Sequence, residues 1–125
     1  AHRWAAPHET KEGKTVRTNK YNARKVEIGG EKFDSVKEYN RWRELKLLER
    51  AGKITGLRRQ VRYELIPSQY RNQQLVERSC VYVADFVYWR DGAEVVEDAK
   101  GKLTPEYVIK RKLMLYRLGI KVVEV

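Results

Sequence analysis

The chain has one cysteine, Cys80, so it can form no internal disulfide, and a reducing cytoplasm is the expected setting. Cys80 lies in an apolar stretch with no histidine near it in sequence, which reads as a buried structural thiol rather than a nucleophile. The two histidines, His2 and His8, lack the further ligands of a zinc site. No apolar run approaches the ~20 residues of a spanning helix, so no membrane partner is expected. No signal-peptide pattern opens the chain. Internal repeats are absent too. Only three prolines are present, and two of them, Pro67 and Pro105, sit where an element should end or begin.

What the chain has in excess is positive charge. Its 125 residues carry a formal net charge of +10, and 42% of them are hydrophobic. That is enough apolar content for one folded domain, and the charge favours a polyanionic partner. Residues 1–24 read as a basic N-terminal arm with no periodicity, expected to be flexible or to order on a partner. Arg17, Lys20 and Arg24 are its candidate phosphate contacts, and Trp4 and Tyr21 could stack on bases. Residues 25–125 read as a single domain.

Within that domain, Lys25–Ile28 and Lys32–Phe33 flank Gly29-Gly30 as a small hairpin. Ser35-x-x-Glu38 is a capping box that starts a helix running to about Ala51, with Gly52 as its stop and Trp42, Leu45 and Leu48 as its apolar stripe. Arg43 and Lys46 recur on the other side, as a phosphate-contacting or merely solvated face. Gln60–Ile66 reads as a strand closed by Pro67, followed by a polar, turn-like stretch from Ser68 to Gln74. Val81–Trp89 and Ala93–Ala99 should pair antiparallel across the Asp91-Gly92 turn. Thr104-Pro105-Glu106 opens a second helix, which Gly119 ends. Val108, Leu115 and Leu118 are its expected face, Met114 core filler, and Lys110 and Arg111 further candidate DNA contacts. Ile120–Val125 is a last strand, expected to run parallel to the strand before it. The expected fold is α/β (α+β): a mixed central sheet of about four to five strands flanked by helices, in the order hairpin-α-βββ-α-β.

The chemistry concentrates at Val95–Gly101. Strand alternation points Asp98 and Lys100 the same way, roughly 7 Å apart at their Cα atoms. The expected pairing brings Asp85 beside Asp98. Glu38 falls in the middle of the first helix's buried stripe, where a carboxylate is costly unless paired or holding a cation. Metal ligand is the reading preferred for it, and completing the helix cap is the alternative. Glu38, Asp85 and Asp98-Ala99-Lys100, on helix, strand, strand and then helix, resemble the PD-(D/E)XK nuclease superfamily, with Ala84-Asp85 where that family has Pro-Asp. Phe33–Glu38, Tyr63–Pro67, Tyr82–Phe86 and Glu97–Gly101 look like a small phage-encoded family known only as a domain of unknown function.

The resemblance implies a restriction-endonuclease-like core and a Mg²⁺- or Mn²⁺-dependent endodeoxyribonuclease. Asp85, Asp98 and the Ala99 carbonyl would be direct ligands, Glu38 a ligand directly or through water, and Lys100 the group that positions the attacking water or stabilises phosphate charge. Gln60 and Glu64 are candidate outer groups. By analogy the substrate is branched DNA, such as a Holliday junction in phage recombination or replication, cut by a homodimer in the host cytoplasm. Two other readings stand beside it. One is a DNA- or RNA-binding or assembly protein that keeps the fold without cleavage, and the other is a structural component anchored by its basic arm.

Overall fold

A computed structural model describes residues 8–9, 15–18, 24–100 and 102–125, with the backbone alone for those before Lys25. Lys20, Trp4 and Tyr21 lie outside the described residues, as do the side chains of Arg17 and Arg24. The chain divides into two compact units between Leu45 and Lys46, and each is taken by itself.

In the first unit, β1 (His8–Glu9), β2 (Thr15–Thr18), β3 (Arg24–Ile28) and β4 (Glu31–Phe33) form one antiparallel sheet in chain order. The Gly29-Gly30 hairpin is as the sequence implies, with Ile28 opposite Glu31. Two further short strands stand before it, in a stretch whose side chains show no period of two. The helix α1 (Val36–Arg50) begins at the capping box. Phe33 is buried and meets the Tyr39 ring edge-on at 5.3 Å and the Trp42 ring at 6.5 Å, which closes the first turn over β4.

The second unit holds the end of α1 and a mixed sheet in the order β10-β9-β8-β5. Its strands are β5 (Thr55–Ile66), β8 (Cys80–Arg90), β9 (Ala93–Asp98) and β10 (Val123–Glu124). Between β5 and β8 comes a ribbon of β6 (Gln69–Arg71) and β7 (Gln74–Glu77). This ribbon is a departure from the expected turn; its polar composition hides a pair of strands. Arg90 faces Ala93 across the Asp91-Gly92 turn, so β8 and β9 pair as the turn chemistry requires. β10 runs parallel to β9, reached through α2 (Pro105–Leu118). The coarse class, mixed α+β with a mixed four-stranded sheet and two helices, is as expected.

The core of this unit gathers Leu65, Tyr82, Ala84, Val87, Val96, Tyr107, Met114 and Val122. Two details differ from the sequence pattern. On β8 a strict period of two buries Tyr82, Ala84, Phe86 and Tyr88, yet Val87 is buried as well, and it is Val87 rather than Phe86 that joins the cluster with Tyr82 and Ala84. The phase slips at Asp85–Phe86, and the facing residue on β5, Gln60, has a left-handed φ of 53°. Register is the same on both sides of the slip, Val61↔Ala84 and Arg59↔Phe86, so the two strands bend together at that point. On α2 the buried side chains are Tyr107 and Met114, two turns apart, and not the expected Leu115 and Leu118, which are exposed. Tyr107 draws the helix face round because its ring packs 6.3 Å from that of Tyr82 while its hydroxyl finds a carboxylate on β10.

α2 ends where expected. Thr104 Oγ1 accepts from the Tyr107 amide at 3.2 Å, Pro105 opens the first turn, and Gly119 closes the helix at φ 68°. Thr104→Ala should therefore lower stability by about 1 kcal/mol. Thermal melting should show a drop of about 4 °C with unchanged circular dichroism.

Candidate active site

The bend at Asp85 matters because of what β9 brings opposite it. Continuing the pairing of Phe86 with Glu97 by one step puts Asp85 across from Asp98. Asp85 is half-buried. Its Oδ2 accepts from the Ala99 amide at 2.9 Å, and its Oδ1 lies 3.4 Å from Gln60 Nε2. One aspartate thus fixes the backbone just beyond the other, and the strained Gln60 supplies the amide that faces it.

Asp98 is 1% exposed. Tyr82 OH donates to its Oδ2 at 2.5 Å. Its Oδ1 is buried and accepts no hydrogen bond. The Lys100 ammonium stands 3.2 Å from that oxygen, close enough for an ion pair although not directed as a hydrogen bond. Lys100 also lies over the Tyr107 ring, 4.6 Å from its centroid, and Arg111 lies 5.8 Å from the same ring. The expected pairing of Asp98 with Lys100 on one face is therefore present, and it is anchored by two tyrosines that the sequence reading did not single out. Their hydroxyls acquire roles once β8, β9 and α2 meet.

The opposite face of β9 carries a second buried carboxylate. Glu97 is 1% exposed and accepts from Tyr88 OH. Two carboxylates in succession, each held by a tyrosine on β8, leave the end of β9 acidic on both faces.

Glu38 belongs to the first unit, where it is 3% exposed and serves the helix start. Its Oε2 accepts from the Asp34 amide at 3.1 Å, while Ser35 Oγ accepts from the Glu38 amide at 3.0 Å. Burial of Glu38 thus accompanies a cap, the alternative that the sequence reading ranked second. Glu64 is exposed on β5, opposite Val81. Arg111, expected as a phosphate contact, pairs with Glu124 at 2.8 Å. Lys110 pairs with Glu106 at 3.0 Å and lines a cleft of about 290 Å³ together with Tyr82, Lys100, Thr104 and Tyr107. Arg43 and Lys46 are exposed on α1, with Arg43 over the Tyr39 ring. Among the described residues no group of three His, Cys, Asp or Glu side chains gathers at metal-holding distance. The chemistry on offer in the second unit is two carboxylates, a backbone carbonyl at Ala99 and a lysine. Mg²⁺ is usually held by one or two carboxylates, keeping waters or substrate phosphate as its other ligands. The buried, unbonded Oδ1 of Asp98 is the oxygen that fits such a cation.

No described helix is long and apolar enough to cross a membrane. The chain belongs to the DUF1064 family, described as a protein of unknown function, which it matches over residues 18–123. Neither the curated proteins nor the solved structures give a match.

The electrostatics of this cluster make a pH signature. Burial, and then the hydrogen bond to Asp98, push the Tyr82 hydroxyl far above its ordinary value of 10.0. Burial and the bond to Glu124 do the same for Tyr107. The protons retained on folding stabilise the chain fully below about pH 10, and that contribution is lost as pH rises through the raised folded values. Glu124 is held below its ordinary 4.5 by Arg111 first and Tyr107 second, so its contribution is present above that value and lost as pH falls through the lower folded one. In urea titrations from pH 7 to 11.5, Tyr82→Phe should lose about 1–3 kcal/mol at pH 7, because Asp98 Oδ2 is left buried without a donor. It should also flatten the alkaline limb.

Proposed function

We propose that this member of the DUF1064 family is a metal-dependent endodeoxyribonuclease of the PD-(D/E)XK type. The observation that carries the reading is the end of β9: a carboxylate 1% exposed, with one oxygen that accepts no hydrogen bond, and a lysine two residues on at 3.2 Å from it. A buried charge is retained at a cost, and a strand end that packs well without one could be apolar. A cation site gives that cost a use.

Asp98 and Asp85 are the carboxylates that would hold Mg²⁺ or Mn²⁺, with the Ala99 carbonyl as a third oxygen. The bound ion would offset phosphate charge and lower the pKa of a coordinated water. The remaining work falls to the chain. Tyr82 fixes the Asp98 carboxylate by one oxygen and leaves the other to face Lys100. Asp85, through the Ala99 amide, sets the backbone between Asp98 and Lys100. Lys100, held over the Tyr107 ring, supplies a positive charge and three donors where charge grows on the scissile phosphate. Branched DNA, such as a four-way junction, is the proposed substrate, and a homodimer with one site per strand the proposed cutting unit.

A second reading, a nucleic-acid-binding protein that does not cleave, draws on the net charge of +10, which needs no catalysis to act. The two separate on a labelled panel of linear duplex, single strand, flap and four-way junction, with Mg²⁺, Mn²⁺ or EDTA. Wild-type protein should cut in either metal and not in EDTA. Asp98→Asn and Lys100→Ala should each lose at least about two orders of magnitude in rate while DNA affinity persists. Mn²⁺ should raise the melting temperature of wild-type protein and not that of Asp98→Asn. Binding across the panel with no cutting in any metal would leave the non-cleaving protein.

A further inference from the structure

Residues Ile66 to Arg78 are all exposed, thirteen in succession, and yet they are ordered strand and turn. They continue the β5–β8 pair. Ile66 faces Cys80, and three residues farther along each strand Gln69 faces Glu77, with register shifts on either side, between Glu64 and Ile66 and between Gln69 and Tyr70. The step between them, at Pro67-Ser68 and Arg78-Ser79, is bridged by the Ser79 amide, which donates to Ser68 Oγ at 3.2 Å. The result is one long two-stranded ribbon whose last six residues, at ~3.3 Å each, extend about 20 Å beyond the core. Asn72 and Gln73 turn it with φ 51° and 65°, left-handed at both central positions as a two-residue hairpin turn demands.

The side chains at the tip are unusual for a surface hairpin. Arg71 and Gln74 face each other, so they share one face with Gln69, and Asn72 and Gln73 crown the turn. From Gln69 to Val76 there is no carboxylate, and the ribbon's one acid, Glu77, faces Gln69 at its base. The other face carries Tyr70, 66% exposed, directly opposite Leu75, 50% exposed. The Arg71 side chain makes no ion pair or hydrogen bond among the described residues. A free-standing two-stranded hairpin is marginal in water, and exposed apolar residues on it point to a partner.

We propose that the β6–β7 ribbon is a DNA-recognition arm that enters the major groove of a duplex, with Arg71 and the amides of Gln69, Asn72, Gln73 and Gln74 against base edges. The proposal rests on the reading above only in taking DNA as the partner. The major groove, about 12 Å wide, admits a two-stranded ribbon, and its edges offer the acceptors and donors that guanidinium and amide groups match in pairs. A-form RNA closes that groove to side chains. A second copy of this chain fits less well. Five amide and guanidinium side chains would each need a polar answer on a protein surface, while Tyr70, Leu75 and Val76 supply little apolar area in return.

The test uses full-length protein in EDTA, so that binding is read whether or not the chain cleaves. Two variants are compared with wild type: one in which residues 69–77 are replaced by Asn-Gly, and the double substitution Arg71→Ala/Gln74→Ala. Both should melt cooperatively, since none of the removed side chains is buried. Duplex affinity by fluorescence anisotropy should fall about tenfold or more in each. Wild type should protect guanine N7 atoms from methylation, and both variants should lose that protection. Should the shortened variant fail to fold, the double substitution decides. Unchanged duplex affinity in the double variant would overturn the arm. So would a wild-type dimer that the variants split into monomers of undiminished affinity, because the ribbon would then be a subunit contact. An arm that binds DNA on a protein that never cleaves would defeat the nuclease reading and leave this one standing.

Discussion

Taking the Asp98 carboxylate out of water costs on the order of several kcal/mol, and each contact around it reads as part of the offset. Tyr82 reaches it from β8 and Lys100 from the chain just past β9. Neither contact exists unless the Asp91-Gly92 turn sets the β8–β9 register, and Lys100 is steadied only if α2 packs Tyr107 beneath it. The parallel strand β10 closes the arrangement from the other side. The Val125 amide donates to the Asp98 carbonyl at 3.0 Å, and Glu124 ties Tyr107 and Arg111 to the sheet. Sheet order, helix facing and the C-terminal strand all bear on one buried acid.

The parts of this arrangement that the sequence displays are those written in local chemistry. Asp91-Gly92, Thr104-Pro105 and Gly119 each demand a backbone conformation within a few residues, and the turn, the helix start and the helix end follow. Asp98 and Lys100 share a face by strand alternation alone. The parts that stay hidden depend on tertiary partners. The phase slip at Asp85 needs Gln60 in a left-handed conformation on the neighbouring strand, which no pattern of polar and apolar residues on β8 foretells. The face of α2 is decided by Tyr107, whose hydroxyl meets Glu124, a residue seventeen positions later. A leucine count favours Leu115 and Leu118, which the structure leaves exposed. Glu38 is buried, as its place in the apolar stripe implies, and its carboxylate takes part in the local cap.

The ribbon of β6 and β7 was hidden for a third reason. Its residues are those of a loop by composition, and it contributes nothing to the core, so neither hydrophobic period nor burial marks it. Only the pairing that follows on from β5 and β8 shows that the same two strands run on into solvent. The second unit thus sets two features along one pair of strands: two facing carboxylates, Asp85 and the buried Asp98, beside β8, and an exposed tip rich in amide groups where the pair ends.

The most direct measurement of the central claim is the anomalous scattering of Mn²⁺ soaked into crystals of the protein. The account predicts a peak about 2.1 Å from Asp98 Oδ1, shared with Asp85 and absent from crystals of Asp98→Asn. A peak elsewhere, or none with Lys100 still seated on Asp98, would contradict it and make the buried acid an element of the fold alone.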